Sequence, residues 1–276
     1  MSGIDRHRVR QAFNLRAGEY DSHANVQKRV IARVTGILRA SPAAARRVLD
    51  IGSGTGLLLK EMHDLYPVAE LVGVDLALGM NLRARATLAA RSSSRLLAGD
   101  AEALPFRDHS FDLVVSTSTY QWLDDLAAAF AEAFRVLAPG GRLVFALFGG
   151  KTLRELRESY RSAWQEAGRG NEERSQVFHD HQAVATALGK AGFIEAPVWI
   201  EQEMEYHADV QSLLRSLKRI GAGSTVPIKS RGLAERRVML NMMDIYRREF
   251  AEEGLIPATY EVIYGKAIKP PAARST

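Results

Sequence analysis

The sequence predicts an α/β protein built on a seven-stranded, mostly parallel sheet, with an N-terminal helical segment and helical cap insertions. Short apolar runs alternate with helical stretches between residues 46 and 150, the rhythm of βαβ units. A glycine-rich turn at 52–56 (GSGTG) joins the first of those runs to a helix. Two further strand-like segments, interleaved with amphipathic helices, follow after 150.

Each element has its own signal. Residues 4–40 read as helical, with Val9, Ala12, Phe13 and then Val26, Val30, Val34, Ile37 at helical spacing. Strands are expected at 47–51 (RVLDI), 70–75 (ELVGVD), 95–98, 111–116 (FDLVVS) and 142–148 (RLVFALF). Helices are expected at 57–66, from 76 to about 90, and at 126–137, the last stopped by Pro139-Gly140-Gly141. Residues 152–167, 207–220 and 232–253 read as amphipathic helices, and 182–191 as a helix before a strand at 198–206. A final strand at 259–267 (TYEVIYGKA) alternates, as a half-exposed strand does. The expected organisation is a helical segment at 1–45 covering the site, a ligand-binding core at 46–150, and the rest of the sheet at 151–270. That last part carries a helical cap at about 152–180 and 207–256, which could cover the open sheet edge, and 271–276 read as a disordered tail.

Composition narrows the function. Hydrophobic residues make 46% of the 276 and charged residues 25%, the profile of an ordinary soluble globule. With no cysteine, disulfide scaffolds, thiolate metal sites and cysteine nucleophiles are excluded. No apolar run reaches transmembrane length, and MSGIDRHRVRQAF lacks the apolar core of a secretory signal, so a cytoplasmic protein is expected. His179 and His181 flank Asp180 without a third ligand, and His23 stands alone on a helix, so no metal is expected. Charge is uneven. Residues 1–47 carry 10 basic and 3 acidic side chains, residues 215–248 carry 9 and 2, and 48–214 carry 15 and 23. If the two basic segments meet in space they form a positive surface suited to an acidic partner; otherwise they are solvated helix faces.

The chemistry-bearing motif is VLDIGSGTG at 48–56. A strand ends in Asp50, and Gly52, Gly54 and Gly56 then open a helix, allowing a sharp turn and close backbone approach to a ligand. Asp75 ends the next strand, where an acid can accept both hydroxyls of a ribose. A dinucleotide fingerprint would be Gly-x-Gly-x-x-Gly, because pyrophosphate seeks the helix N-terminus. The carboxylate of Asp50 disfavours a pyrophosphate and suits a ligand carrying an ammonium. S-adenosylmethionine has an ammonium, a cationic sulfonium and no phosphate.

On these residues the chain resembles the class I S-adenosylmethionine-dependent methyltransferases. Gly99-Asp100-Ala101-Glu102 with Leu104-Pro105-Phe106, the strand 111–116, and Arg135-Val136-Leu137 before Pro139-Gly140-Gly141 carry the resemblance across roughly 46–150. The resemblance implies a Rossmann-like sheet and a cofactor site of Asp50, Gly52, Ser53, Gly54, Gly56, Asp75, Leu76, Met80, Asp100, Ala101, Glu102 and Ser116. Within it, Asp100 would accept from the adenine amine beside the backbone of Ala101, and the strand ending at Ser116 would face the sulfonium.

The remainder resembles the malonyl-acyl-carrier-protein O-methyltransferases of biotin synthesis. Phe13 with Tyr20-Asp21, Ala24 and Gln27, then Gln121-Trp122, the segment 152–156 (TLREL), the stretch 216–222 (SLKRIGA) and Thr259-Tyr260 carry it. Many relatives have Gly-Cys-Gly where this chain has Gly52-Ser53-Gly54, and Gln-Trp-Cys where it has Gln121-Trp122-Leu123. The resemblance implies methyl transfer to the free carboxylate of a malonyl thioester, which primes pimelate synthesis. That carboxylate is already ionised near neutral pH, so no general base is needed. Substrate positioning would fall to Tyr20, Gln121, Trp122 and Lys218. Tyr20 and Trp122 serve equally as packing residues, and Lys218 as a solvated cation. The implied partner is an acidic acyl carrier protein; neither nucleic acid nor membrane is expected, and the chain is expected to be a monomer. A class I methyltransferase of a small metabolite or quinone is the alternative. A quinone ring carbon would want a base, and none stands out. A regulatory module that kept the fold and lost activity is disfavoured by the intact acids Asp50, Asp75 and Asp100. An RNA methyltransferase is disfavoured by Ser116-Thr117-Ser118-Thr119, where an Asn-Pro-Pro-Tyr-type motif would stand.

Overall fold

A computed structural model describes residues 4–90, 94–168, 178–225 and 233–272. Strands β1 (Arg47–Ile51), β2 (Glu70–Asp75), β3 (Ser94–Ala98), β4 (Phe111–Thr117), β5 (Leu137–Phe148), β6 (Val198–His207) and β7 (Ile256–Ile268) form one sheet. Their order is β3-β2-β1-β4-β5-β7-β6. The first five pair in parallel, and β7 pairs antiparallel with both β5 and β6. Strand order reverses between β1 and β4, so their carboxyl ends diverge into a crevice, the place where open α/β sheets bind ligands.

The inner strands are mainly apolar because helices cover both faces. Alternate residues sort to two cores. Val48, Leu71, Leu113, Val115, Val144 and Ala146 join one, and Leu49, Val72, Val114, Leu143 and Phe145 the other. The first core takes α3 (Asn25–Ala40), α4 (Leu57–Leu65), α7 (Arg154–Glu166), α9 (Val210–Arg219) and α10 (Leu233–Phe250). The second takes α6 (Leu126–Val136) and α8 (His181–Ala191). The last helix of the parallel half, α5 (Leu78–Thr87), packs on β2 and β3.

Three outcomes differ from the sequence reading. The single N-terminal helical stretch is three helices: α1 (Arg6–Arg16), α2 (Tyr20–His23) and α3. The chain breaks at Ala17-Gly18-Glu19, where glycine weakens the helix, and again at Ala24, whose backbone leaves helical geometry. The final strand is not half-exposed: β7 is buried along nearly its whole length, because it lies inside the sheet with helices on both faces. Its polar residues are absorbed within. Thr259 donates to the Glu155 carboxylate from both its hydroxyl and its backbone N–H, the latter at 3.2 Å. The cap helices α7, α9 and α10 pack against β7 within the first core rather than beyond the last strand. Helix α7 ends at Glu166, close to the expected 167; the rest of the expected cap at 169–177 and 226–232, and the tail from 273, lie outside the described residues.

The edge strand β6 turns Glu201, Glu203 and Glu205 toward α3. There Arg33 meets Glu201 at 2.6 Å, Arg29 meets Glu203 at 2.5 Å, and Asn25 donates to Glu205 at 3.1 Å. Part of the basic charge of the first 47 residues is thereby neutralised at the sheet edge.

Candidate active site

The crevice at the carboxyl ends of β1, β2 and β4 holds a cavity of about 760 Å³, counted to its open mouth. Its floor is the turn after β1. Gly52 takes φ +73°, a left-handed conformation that side chains rarely adopt, and a Cβ there would lie 2.7 Å from the Cβ of Thr119. The turn is locked from the next strand, since the N–H groups of Gly52 and Ser53 donate to Val74 at 2.7 and 3.1 Å. Asp75 accepts from Gly54 N–H at 2.9 Å on one oxygen and from Ala77 N–H at 2.7 Å on the other. Burial raises the Asp75 pKa above its ordinary value, against the lowering effect of those two donors.

Asp50 lies behind this floor. It is 1% exposed, and neither carboxylate oxygen meets a hydrogen-bond partner among the described residues. Burial first, and the Asp75 charge second, push its pKa well above the usual carboxylate range. A buried acid without a partner is costly to the empty protein. Ser53, in the turn, is buried too, and its hydroxyl is likewise without a partner among the described residues.

The other expected cofactor residues divide. Leu76, Met80, Asp100 and Ala101 line the cavity with Gly52, Gly54 and Asp75. Five expected residues do not. Gly56 caps α4 and packs on Ala84 of α5, where a Cβ would come within 3.1 Å. Ser116 is spent inside the sheet, donating to Ile51 O at 2.8 Å. Glu102 is drawn aside into an ion pair with Arg6 at 2.5 Å. Asp50 and Ser53 sit beneath the floor and do not form the wall.

The roof is the N-terminal segment. Helix α1 buries none of its residues fully and is held by polar ties. Ile4 N–H donates to Asp124 at 2.9 Å, Asn14 accepts from Gly79 N–H at 2.7 Å, and Arg6 pairs with Asp100 as well as Glu102. Asp21, at the start of α2, accepts from the Thr55 hydroxyl at 2.6 Å, fixing that helix to the glycine turn.

A second cavity of about 420 Å³ adjoins the first. Phe13, Tyr20, Ser118 and Trp122 line both. The Phe13 ring stands edge-on to Tyr20 at 6.2 Å and to Trp122 at 5.5 Å, making an aromatic partition. Burial, then Asp75 and Asp21, hold the Tyr20 phenol protonated by pushing its pKa up. Gln27, Gln121, Thr152, Leu217 and Tyr260 are among the residues lining the second cavity. Ser118 (φ +56°) and Leu153 (φ +54°) bound it in left-handed conformations, strain of the kind that gathers at functional sites.

Of the four expected substrate residues, Tyr20 and Trp122 therefore stand at the junction and Gln121 in the second cavity. Lys218 does not approach either. It is exposed, because Leu213, Leu217 and Ile220 turn the opposite side of α9 inward. The stretch 216–222 contributes in another way: Gly221, at φ +79°, seats its backbone on the Phe13 ring, and a Cβ there would come within 3.1 Å. Arg6, Gln27 and Thr119 escaped assignment to the site from sequence. Gln27 left a signal, a polar residue in phase with the buried Val30, Val34 and Leu38 face of α3. No group of metal-binding residues occurs among the described residues, and no described helix is long and apolar enough to cross a membrane.

Comparison with known proteins agrees with this architecture. A methyltransferase-domain family matches residues 49–145. The chain is 51% identical over 263 residues to the malonyl-[acyl-carrier protein] O-methyltransferase of Geobacter sulfurreducens, covering 95% of this chain and 98% of that one. It is 33% identical to the biotin biosynthesis bifunctional protein BioHC of Saccharophagus degradans, covering 95% of this chain and 46% of that protein. Among solved structures, the YcgJ protein of Bacillus subtilis superposes with a TM-score of 0.60 at 20% identity, covering 87% of this chain and 100% of that one. The chain belongs to the malonyl-[acyl-carrier protein] O-methyltransferase family.

Proposed function

We propose that this protein transfers a methyl group from S-adenosylmethionine to the free carboxylate of a malonyl thioester on acyl carrier protein, giving the methyl ester that primes pimelate synthesis for biotin. The observation that carries the reading is the pairing of a first cavity lined by the glycine turn, Asp75 and Asp100 with a second cavity across an aromatic partition.

The residues fit the cofactor. Asp75 stands at the wall for a ribose, Asp100 and Ala101 for an adenine, and the close approach at Gly52 leaves room for an amino-acid end. The unpartnered Asp50 carboxylate supplies the negative potential that an ammonium would answer. When bound, S-adenosylmethionine supplies an electrophilic methyl: the acceptor oxygen's lone pair forms the new O–C bond as the C–S pair returns to sulfur, and no proton moves. The chain's part is positioning and drying. Phe13, Tyr20 and Trp122 surround the junction with ring faces and edges, an environment that tolerates a cationic sulfur and excludes water. Orientation of this kind can lower a barrier by roughly 7–11 kcal/mol. Tyr20 keeps its proton and so acts as a donor, never as a base.

The carrier is an acidic protein met by a positive surface. The two basic segments do come together: Arg219 lies 3.3 Å from His23, and Gly221 sits on Phe13. Arg215, Lys218 and Arg219 are exposed on α9, so Lys218 serves docking better than catalysis. Electrostatic steering would raise the association rate at low salt. A single copy of the chain completes both cavities, which suits a monomer.

Mass spectrometry of malonyl-acyl-carrier protein incubated with this protein and S-adenosylmethionine tests the reading. A gain of one methyl, removed by ester hydrolysis, is expected. No gain while calorimetry finds the cofactor bound would return the acceptor to small metabolites or quinones.

A further inference from the structure

We propose that Gln27 is the hydrogen-bond donor that receives the acceptor carboxylate, in a second cavity whose grip on that anion is neutral. This rests on the function proposed above and assigns a binding residue to it.

Gln27 lies on the buried face of α3, among Val26, Val30 and Val34. It is 8% exposed and lines the second cavity, where its side-chain amide makes no hydrogen bond to the described residues and keeps access to the cavity space. A primary amide carries two donors and one acceptor, and here they are free to serve a ligand that enters the cavity. An apolar residue would fill this position on α3 better unless the amide serves something that enters the cavity. The neighbouring polar groups point to what enters. Tyr20 carries a protonated phenol, and Tyr260 a second one held protonated by burial. The Thr152 hydroxyl is already committed to Glu261 O at 3.1 Å. Among the described residues lining this cavity there is no Lys, Arg, His, Asp or Glu. The chamber thus presents neutral donors, and an anion held by them gains charge-assisted hydrogen bonds.

Neutral donors also suit the reaction. An arginine or lysine clamped on the carboxylate would stabilise its charge before transfer, and that charge is lost in the transition state. Stronger binding of the ground state than of the transition state slows catalysis. An amide holds the anion in place with a weaker pull on its lone pairs. The same chamber should accept the neutral methyl ester without penalty, so product release does not require breaking an ion pair.

Calorimetry on the full chain loaded with S-adenosylhomocysteine provides the test, using malonyl-coenzyme A and its methyl ester as probes. For Gln27→Leu, affinity for the malonyl thioester should fall about tenfold to a hundredfold, the range for a hydrogen bond to a charged group. Affinity for the methyl ester and for S-adenosylhomocysteine should stay within about twofold of the parent. Gln27→Glu should lose the malonyl thioester more severely, through like-charge repulsion, and still bind the ester. Gln27→Met substitutes if Gln27→Leu does not fold. A packing role would weaken both thioesters alike, and an idle residue would change neither; each result overturns the assignment. A parent protein that binds S-adenosylhomocysteine but not the malonyl thioester overturns the proposed function itself, and Gln27's role with it.

Discussion

Gly52→Ala puts the floor of the first cavity under a defined load. The backbone at Gly52 is left-handed (φ +73°), which costs a residue with a Cβ about 1–2 kcal/mol. The new methyl would also lie 2.5 Å from Cγ2 and 2.7 Å from Cβ of Thr119, a contact that requires the following turn to move. Overpacking of that kind costs about 1–3 kcal/mol. Together the two terms come to about 2–5 kcal/mol, or a fall in Tm of about 3–9 °C for a chain of this size. The two terms separate in a double-mutant cycle. In a Thr119→Gly background the collision is gone, so Gly52→Ala should cost only the backbone term of about 1–2 kcal/mol. Urea unfolding of the four proteins measures the coupling, and calorimetry should find cofactor affinity reduced in the single variant, because both residues line the cavity. Additivity within about 0.5 kcal/mol would refute the contact with Thr119 as the cause. A fully stable Gly52→Ala would refute the backbone argument as well.

Other expectations concern charge. Asp50 has a pKa raised above its ordinary 3.8 in the folded state, so folding binds a proton more tightly than unfolding does. The ligand-free protein should therefore lose stability as pH climbs from about 3.8 toward the folded-state value. Asp50→Asn should flatten that dependence and stabilise the ligand-free protein at neutral pH while weakening cofactor binding; thermal melts across pH with parallel calorimetry would expose a failure of either half. Arg6→Ala removes the tie from α1 to Asp100 and Glu102, worth up to about 1 kcal/mol, so amide hydrogen exchange in α1 should quicken up to about fivefold. Unchanged exchange would mean that the remaining ties hold α1 alone. Charge reversal at Arg215, Lys218 and Arg219 should slow turnover of a carrier-bound substrate most at low salt, leaving cofactor affinity intact; a salt-independent parent rate would count against electrostatic docking.

Much of this was legible in the sequence, for reasons that differ along the chain. Strands β1, β2, β4 and the second half of β5 are largely buried, so they read as apolar runs, and the turn after β1 announces itself because its backbone demands glycine. Asp75 was legible because strand ends facing a crevice have few reasons to carry an acid. The N-terminal breaks were harder to see, since Val9 and Phe13 keep helical spacing within α1, as Val26, Val30 and Val34 do within α3, and nothing in the sequence but Gly18 marks where one stretch ends. The charge of Lys218 suits a carboxylate ligand, but charge alone does not say which side of a helix faces a site. The spacing of Val210, Leu213, Leu217 and Ile220 already placed it on the outer side of α9. Gln27 was visible as a motif residue, but its importance depends on an amide left without a partner, which only side-chain packing reveals. The burial of β7 depends on where β6 pairs, and no local pattern encodes strand order.

Phe13 stands between the two cavities and under Gly221, so a single ring forms a wall for both ligands. A shared wall makes the two sites thermodynamic partners. Whatever factor one ligand gains by finding that ring already in place, the other must return in equal measure. Cofactor and acceptor affinities measured separately will then understate the ternary complex, and the spent cofactor will hold the acceptor side as firmly as the acceptor holds it. An inhibitor that grips Phe13 from either side would inherit this heterotropic coupling and bind best when the opposite cavity is full.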